Sequence, residues 1–146
     1  MKVNVCKTDP NAILPTYGSA EAAGADLYAL LPEGGAVIRA GETAMIHTGI
    51  AMEIPVGYVG LVFARSGLAT KRDLAPANKV GVIDSDYRGE IIVALHNHGE
   101  KEGVVLPGER IAQIVIVPYL TAEFVETNAL SETDRGAGGF GSTGTK

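Results

Sequence analysis

The C-terminal segment has the composition of a loop that could bind an anion. Residues 135–144 read RGAGGFGSTG and contain five glycines, one arginine, one aromatic residue and two hydroxyls. Glycine adds no side chain to a core, but a glycine-rich backbone can turn its N–H groups toward a phosphate. Arg135 adds a positive charge, Ser142 and Thr143 add hydroxyl donors, and Phe140 offers a flat face for a planar ring. The segment is compatible with nucleotide binding, although a frayed glycine-rich terminus has the same composition.

Two segments in the first half combine a charged residue with small or hydroxyl residues. Asp26 is the only acid in AGADLYA, residues 23–29, where an unpaired charge among apolar residues would be costly. It is either a turn or capping residue or a carboxylate near Mg²⁺, which prefers oxygen ligands and often keeps several waters. ARSGLA, residues 64–69, follows a predicted strand, and Arg65 and Ser66 could bind a phosphate where a short helix begins.

The segment GVIDSDYRGEI, residues 81–91, carries two aspartates and a tyrosine. Asp84 and Asp86 would share a face of a strand, whereas in a turn they need not. An acid beside a nucleotide can orient and deprotonate a water for attack on phosphorus. Tyr87 could pack against a sugar, where a ribose 2′-hydroxyl would clash with the ring. A β-turn with Asp and Gly as turn-forming residues is the structural alternative.

The segment GERIAQ, residues 108–113, places an amide on an apolar strand. Gln113 could donate to a phosphate that cations already bind, or it could be a polar residue on an edge strand. In this order, the five segments closely resemble the motifs of the trimeric deoxyuridine triphosphate nucleotidohydrolases (dUTPases). The resemblance covers essentially the whole chain, and no motif residue is missing. It implies hydrolysis of dUTP to dUMP and pyrophosphate with Mg²⁺, which lowers the dUTP available for DNA synthesis and supplies dUMP for dTMP synthesis.

The resemblance also implies a role for individual residues. Asp84 matches the catalytic aspartate that contacts the deoxyribose 3′-hydroxyl and orients the attacking water, and Asp26 would hold the metal through its water shell. Tyr87 would stack under the deoxyribose, Asn78 would lie where backbone groups read the uracil edge, and Phe140 would stack on uracil. The substrate-binding residues implied by the resemblance are Arg65, Ser66, Gly67, Asn78, Gly81, Tyr87, Gln113, Arg135, Phe140, Gly141, Ser142 and Thr143.

The elements that must position these segments are mostly predicted strands. Short apolar runs separated by Gly and Pro turns indicate an antiparallel barrel or sandwich. Strands are predicted around Val3 and Val5 and over residues 44–54, 58–64, 90–97, 111–119 and 121–126. One short helix is predicted over residues 66–72, with Ser66 as its N-cap, and residues 130–135 are predicted to form a loop. The resemblance narrows the fold to an all-β, β-jelly-roll-like sandwich.

The resemblance further implies a homotrimer whose active sites lie between subunits. Residues 1–126 would form a single β domain, and residues 127–146 would form a flexible arm that closes over the active site of a neighbouring subunit. The chain of 146 residues has a formal net charge of −5, which speaks against nonspecific nucleic-acid binding. Its apolar runs are too short to span a bilayer, and the single Cys6 forms no internal disulfide. We therefore expect a cytoplasmic protein with neither a nucleic-acid nor a membrane partner.

Two other functions are compatible with parts of this pattern. A dCTP deaminase has a similar fold, but that class uses a glutamate-centred site and an Arg-Ser-Ser type of segment, whereas this chain has Arg65-Ser66-Gly67. A regulator of the dUTPase fold could instead bind a protein partner, but such proteins tend to carry an inserted segment that this compact chain lacks. Both alternatives are less consistent with the five segments than dUTP hydrolysis.

Overall fold

The computed structural model describes residues 1–139. These residues form strands throughout, with one short helix, so the predicted all-β fold is confirmed. The strands are β1 (Asn4–Lys7), β2 (Thr16–Tyr17), β3 (Ala25–Tyr28), β4 (Ala36–Ile38), β5 (Thr43–His47), β6 (Ile50–Glu53), β7 (Tyr58–Phe63), β8 (Leu74–Pro76), β9 (Gly81–Ile83), β10 (Ile92–Asn97), β11 (Gly103–Val105) and β12 (Arg110–Pro118), and the helix is α1 (Ser66–Arg72).

The strands are arranged in four antiparallel sheets that share one core. The largest sheet has the order β2-β3-β12-β7-β9, and a three-stranded sheet has the order β5-β10-β8. The pairs β1-β6 and β4-β11 complete the jelly-roll-like sandwich. All four sheets contribute to a single buried cluster, which includes Leu27, Ile38, Ile46, Ile50 and Leu95. Since each such side chain stabilises the fold by about 1.5–3 kcal/mol when fully buried, this core is what holds the strand ends in place.

The predicted strand over residues 44–54 is two strands, which belong to different sheets and are joined by Thr48 and Gly49, the β5–β6 turn. Gly49 has a φ of +68°, a backbone conformation that side chains other than hydrogen disfavour. The turn is fixed from inside the protein, because the buried Thr48 donates its hydroxyl to the carbonyl of Ile91 over 2.5 Å. The alternation of apolar residues continues across the turn, which explains why the sequence pattern does not reveal the break.

The predicted helix is confirmed over residues 66–72, but the predicted cap is wrong. Arg65, not Ser66, is the N-cap residue, with an extended backbone at φ −88° and ψ 131°. Its side chain makes no capping bond, because a guanidinium has only donors and cannot accept from a backbone N–H. The guanidinium donates to Asp26. The helix ends at Asp73, which adopts the left-handed conformation, and Lys71 and Arg72 lie in its last turn, where positive charge is favourable. No helix within residues 1–139 is long and apolar enough to cross a membrane.

The predicted strand over residues 121–126 is wrong for the isolated chain. Strand β12 ends at Pro118, and the following residues run through solvent, with Leu120 97% and Phe124 96% exposed. A strand is stabilised by a hydrogen-bonded neighbour, and no described strand of this chain pairs with the segment. The predicted loop over residues 130–135 is confirmed, since these residues form neither helix nor strand.

Candidate functional site

The buried carboxylate of Asp26 brings together three segments that are distant in sequence. Asp26 lies on β3, its side chain is 9% exposed, and its Oδ1 accepts a hydrogen bond from Arg65 Nε over 2.7 Å. Its Oδ2 accepts a second bond from Arg110 Nη1 over 3.1 Å. Arg65 follows β7 and Arg110 begins β12, so adjacent strands of one sheet deliver both cations. The carboxylate thus receives the counter-charges that its burial requires.

Gln113 ties the same three segments together through its amide. In the five-stranded sheet, Gln113 is paired with Asp26 on one side and with Phe63 on the other. Its Nε2 donates to the carbonyl of Ala64 over 2.9 Å. A Cβ at Gly24 would lie only 2.6 Å from Gln113 Oε1, so glycine there leaves the space that the amide occupies. Gln113 therefore fixes the backbone just before Arg65, with one amide hydrogen still available.

A polar cavity opens beside these residues. It has a volume of about 220 Å³ and is lined by Arg65, Gly67, Leu68, Arg72, Glu109 and Arg110. A Cβ at Gly67 would meet no atom within 4 Å, so this part of the backbone faces open space. Arg72 is held by an ion pair with Glu109 and a bond to the Val104 carbonyl. The guanidinium groups of Arg65 and Arg110 give the cavity the positive charge that suits a polyanion.

The acids of the described residues fit a magnesium ion held mostly by a substrate. No group of three or more His, Cys, Asp or Glu side chains within residues 1–139 is arranged to hold a metal directly. Mg²⁺ is commonly bound by one or two carboxylates, substrate phosphates and several retained waters. Each oxygen of Asp26 accepts one arginine hydrogen bond and keeps capacity for a second. Asp26 is therefore suited to contact a metal through water.

Asn78 and Gly81 lie in the loop between β8 and β9, two strands that belong to different sheets. Within this loop, Lys79 N donates to Pro76 O (3.0 Å) and Val80 N donates to Asn78 O (2.7 Å). Lys79 adopts a left-handed conformation with a φ of +65°. A Cβ at Gly81 would lie 3.2 Å from the Val62 Cβ and 3.5 Å from the Asn78 amide, so the end of this loop packs closely on β7.

Asp84 and Tyr87 lie in a tight turn after β9. Tyr87 N donates to Asp84 O over 3.2 Å, and Arg88 Nη1 donates to Ser85 O over 2.7 Å and to Tyr87 O over 3.1 Å. Asp84 is exposed, as a residue that contacts a ligand must be. Because Asp84 and Asp86 lie in a turn, they need not face the same side. The β-turn and a functional role for Asp84 are therefore compatible, because the turn presents Asp84 to solvent.

Within one chain, Asp84 lies far from Arg65. The pairing of β7 with β9 sets Ile83 against Gly60, which places Asp84 opposite Val59. Arg65 is six residues farther along the chain, just beyond the end of β7 at Phe63 and still with an extended backbone. At about 3.3 Å per residue, the two lie about 20 Å apart along β7. The structure therefore forms two groups of candidate residues, one around Asp26 and one around Asp84.

The C-terminal segment is only partly described. Residues 119–137 are exposed and form no strand or helix. Arg135 Nε donates to the carbonyl of Gly138 over 2.8 Å, and Gly136, at a φ of +49°, donates to Thr133 O over 3.0 Å. Arg135 thus binds its own turn in this conformation. Phe140, Gly141, Ser142 and Thr143 lie outside the described residues.

The sequence prediction does not include three residues that the structure places at these groups. Arg110 could have been found, because a buried aspartate among apolar residues requires a cation and the segment GERIAQ supplies one. Arg88 shapes the backbone around Asp84 through two carbonyls. Glu90 shows no sequence signal of its own, because its partners His47 and Gly49 are more than 40 residues away in the sequence.

Replacing Asp26 with Asn is expected to lower the free energy of unfolding by about 2 kcal/mol. The buried amide leaves Arg65 and Arg110 without their counter-charge, but both arginines are partly exposed, at 28% and 48%, so solvent reduces the loss. Urea unfolding at fixed protein concentration measures the difference. Asp86→Asn, at an exposed position of the Asp84 turn, is the control and should change stability by less than about 0.5 kcal/mol. Equal effects of the two substitutions would contradict a stabilising role for the Asp26 ion pairs.

The Glu90 carboxyl is expected to make stability depend on acid pH. Burial by itself raises its pKa, but hydrogen bonds from His47 and the backbone of Gly49 outweigh burial and hold the pKa below the usual 4.5. A carboxyl with a lower pKa in the folded state stabilises the protein above pH 4.5, and this contribution is lost as the pH falls through the folded-state pKa. Urea unfolding at about pH 6 and about pH 3.5 should therefore show a smaller acid loss for Glu90→Gln than for the unaltered protein. An identical loss in both proteins would contradict the prediction.

Comparison with known proteins identifies a single family. The dUTPase family model matches residues 10–144, a range that contains all five segments. A deoxyuridine 5′-triphosphate nucleotidohydrolase of Syntrophotalea carbinolica is 48% identical over 142 residues, which are 97% of this chain and 96% of that protein. One from Desulfitobacterium hafniense is 51% identical over 145 residues, covering 99% and 95%. The structure of a Staphylococcus bacteriophage 80alpha dUTPase with dUpNHpp has a TM-score of 0.90 and 30% identity, covering 98% of each chain.

Proposed function

The chain belongs to the dUTPase family, and we propose that it hydrolyses dUTP to dUMP and pyrophosphate. The reaction lowers the dUTP available for DNA synthesis and supplies dUMP for dTMP synthesis. The structural observation that best supports this proposal is the convergence of Asp26, Arg65, Arg110 and Gln113 beside an open polar cavity. Asp26 can accept hydrogen bonds from the water around a metal ion, and the other three residues can donate hydrogen bonds to phosphate. These residues follow one another along the chain in the order of the family motifs.

The phosphate chain is bound by Arg65, Ser66, Gly67 and Gln113. Arg65 uses Nε for Asp26, which leaves the two terminal nitrogens of the guanidinium for phosphate oxygens. The backbone at Gly67 is open to close approach by a ligand. Gln113 has one amide hydrogen beyond the one that it donates to Ala64. These donors compensate locally for the negative charge of the whole chain.

Asp26 acts on the metal through water. When bound, Mg²⁺ neutralises charge on the phosphate oxygens and aligns the triphosphate. Asp26 accepts hydrogen bonds from the surrounding water shell, while Arg65 and Arg110 hold the carboxylate in one orientation. The two arginine contacts keep the Asp26 carboxylate in place, although no protein side chain contacts the ion directly.

Asp84 and Tyr87 act at the sugar and the α-phosphorus. Asp84 orients a water for in-line attack and contacts the 3′-hydroxyl of the deoxyribose. Tyr87 stacks under the sugar and leaves no room for a ribose 2′-hydroxyl. The β8–β9 loop that carries Asn78 and Gly81 reads the uracil edge with its backbone and excludes the 5-methyl group of thymine. On cytosine its donors would face the wrong group, at a cost of about 1–3 kcal/mol for each unpaired donor.

A complete site requires more than one subunit, in a homotrimer. Asp84 and Arg65 of one chain lie about 20 Å apart along β7, farther than a triphosphate reaches, so they belong to different sites. The segment after β12 also supports assembly. Its Leu120 and Phe124 are almost fully exposed in the isolated chain, and large exposed apolar side chains favour burial in an interface. Residues 1–126 form the domain, and residues 127–146 form an arm that reaches a neighbouring subunit.

The arm completes the site over the nucleotide. Phe140 stacks on uracil, and Arg135, Ser142 and Thr143 bind the γ-phosphate, with Gly141 allowing the backbone to approach. For this role Arg135 exchanges its bond to the Gly138 carbonyl for phosphate oxygens. Closure of the arm over the nucleotide excludes bulk water and adds hydrogen-bond donors where negative charge develops during the reaction.

Pyrophosphate release from dUTP, UTP, dCTP and dTTP, each with Mg²⁺ and with EDTA, tests the proposed function. Release from dUTP alone, abolished by EDTA, is the expected result and reports base selectivity, sugar selectivity and metal dependence together. Release from several nucleotides would indicate a general pyrophosphatase and contradict the role of the β8–β9 loop in base selection. Ammonia release from dCTP would indicate a deaminase instead. Light scattering of the same sample reports whether the protein is a trimer.

A further inference from the structure

Glu90 connects the tyrosine of the Asp84 turn to the β5–β6 turn. Its carboxylate points to the β5–β6 turn, where Oε2 bonds to His47 Nδ1 over 2.9 Å and Oε1 accepts from Gly49 N over 2.7 Å. Its main-chain carbonyl accepts the hydroxyl of Tyr87 over 2.9 Å. The side chain is only 22% exposed, so both contacts are partly shielded from water. Glu90 therefore contacts the β5–β6 turn through its side chain and Tyr87 through its main chain.

The β5–β6 turn is a rigid anchor for this carboxylate. A Cβ at Gly49 would lie 2.7 Å from side-chain atoms of Ala12 and Leu30, so the turn is closely packed from outside. The Gly49 carbonyl accepts from Thr8 N over 2.8 Å, and the Thr48 hydroxyl bonds to Ile91 O. A carboxylate bonded to this turn has little freedom to move.

The ring of Tyr87 depends on the backbone that Glu90 holds. A Cβ at Gly89 would overlap the Tyr87 hydroxyl, so the ring lies directly against this backbone. Tyr87 is otherwise 44% exposed, and the bond from its hydroxyl to the Glu90 carbonyl is its only described side-chain hydrogen bond. The same peptide is held from the other side by Ile91 N, which donates to Ile50 O over 2.8 Å. A shift of Glu90 is thus transmitted directly to the tyrosine ring.

We propose that Glu90 is a positioning residue that sets the height of the Tyr87 ring under the sugar and thereby the discrimination between deoxyribose and ribose nucleotides. The inference rests on the proposed function, in which Tyr87 stacks under the deoxyribose. It depends on the reach of the Glu90 side chain, because the carboxylate must contact His47 and Gly49 while the carbonyl contacts Tyr87. The charge of the carboxylate is secondary, since an amide of the same length can also accept from Gly49 and donate to a histidine nitrogen.

Two conservative substitutions separate reach from charge. Glu90→Gln keeps the length and removes the charge, whereas Glu90→Asp keeps the charge and shortens the side chain by one methylene. We expect the ratio of kcat/KM for dUTP to that for UTP to fall about tenfold in Glu90→Asp, because small misplacements at a binding surface have effects of this size. The ratio should be unchanged in Glu90→Gln, which keeps the length of the side chain. The fall should come mainly from KM for dUTP and from improved use of UTP, with kcat for dUTP less affected.

A further variant and a matched control guard against a general loss of folding. His47→Ala removes one of the two anchors and should lower the ratio about threefold. Glu42→Ala, an exposed carboxylate whose only described ion pair is with Arg39 at 4.0 Å, should leave the ratio unchanged. Circular dichroism and size measurement confirm that each variant is folded. If Glu90→Asp does not fold, the comparison of Glu90→Gln with His47→Ala decides, since only the second removes an anchor.

The outcomes distinguish this inference from the proposed function. Dissociation constants of dUTP and UTP, measured with EDTA so that no turnover occurs, give the same selectivity without hydrolysis. An unchanged ratio in folded Glu90→Asp and His47→Ala, or an equal fall in Glu90→Gln and Glu90→Asp, would overturn the positioning role while leaving dUTP hydrolysis intact. An unaltered protein that neither hydrolyses nor binds dUTP would overturn both.

Discussion

Replacement of Asp84 by Asn is expected to lower the turnover of dUTP by about 10²–10⁴ while changing its dissociation constant only a few fold. The amide has the size of the carboxylate and can still accept a hydrogen bond from the sugar, but it cannot take a proton from water. Asp84 is exposed at the end of β9, so the substitution leaves the core untouched. Pyrophosphate release gives kcat, and calorimetric titration gives the affinity.

Asp86 provides the matched control for this prediction. It lies in the same turn, is exposed, and differs from Asp84 only in its position. Asp86→Asn should therefore keep turnover within a few fold of the unaltered protein. Turnover near the original level in Asp84→Asn would remove Asp84 from the role of the base, and an equal loss in both variants would mean that the charge of the turn matters more than any one acid.

Deletion of residues 133–146 is expected to leave a folded protein with at least about 100-fold less activity on dUTP, since losing even one donor to developing charge costs about 10²–10³. The deleted segment begins after the last described strand, and its described residues, 133–139, contribute nothing to the buried cluster of the sandwich. Stability and oligomeric state should therefore persist. Activity assays, circular dichroism and light scattering on the truncated protein check the three expectations.

A shorter deletion controls for the mere loss of chain length. Removing only residues 145–146 leaves RGAGGFGSTG intact and should leave activity unchanged. Aggregation or unfolding of the longer deletion would mean that the segment is part of the fold. Full activity of the protein that lacks residues 133–146 would exclude a role of the C-terminal segment in catalysis.

The local sequence was sufficient for the long strands and the helix. The apolar runs that became β7, β10 and β12 are continuous and end at turn-forming residues, and the helix over residues 66–72 was predicted with its observed bounds. Short strands such as β4, β8 and β11, each of three residues, were missed because three residues cannot display an alternation. The strand expected over residues 121–126 was wrong because a strand needs a neighbour, and the described part of the chain supplies none.

The sequence by itself determined the chemistry of this protein, because the order and residue types of five segments identify a family whatever their arrangement in space. Only the tertiary structure decided which residues meet. It paired Asp26 with Arg65 and Arg110, separated Asp84 from Arg65 along β7, and brought Glu90 to His47 and Gly49. The physical reason is that sheet register and core packing join strands distant in sequence, and such nonlocal contacts leave no periodic trace in the sequence.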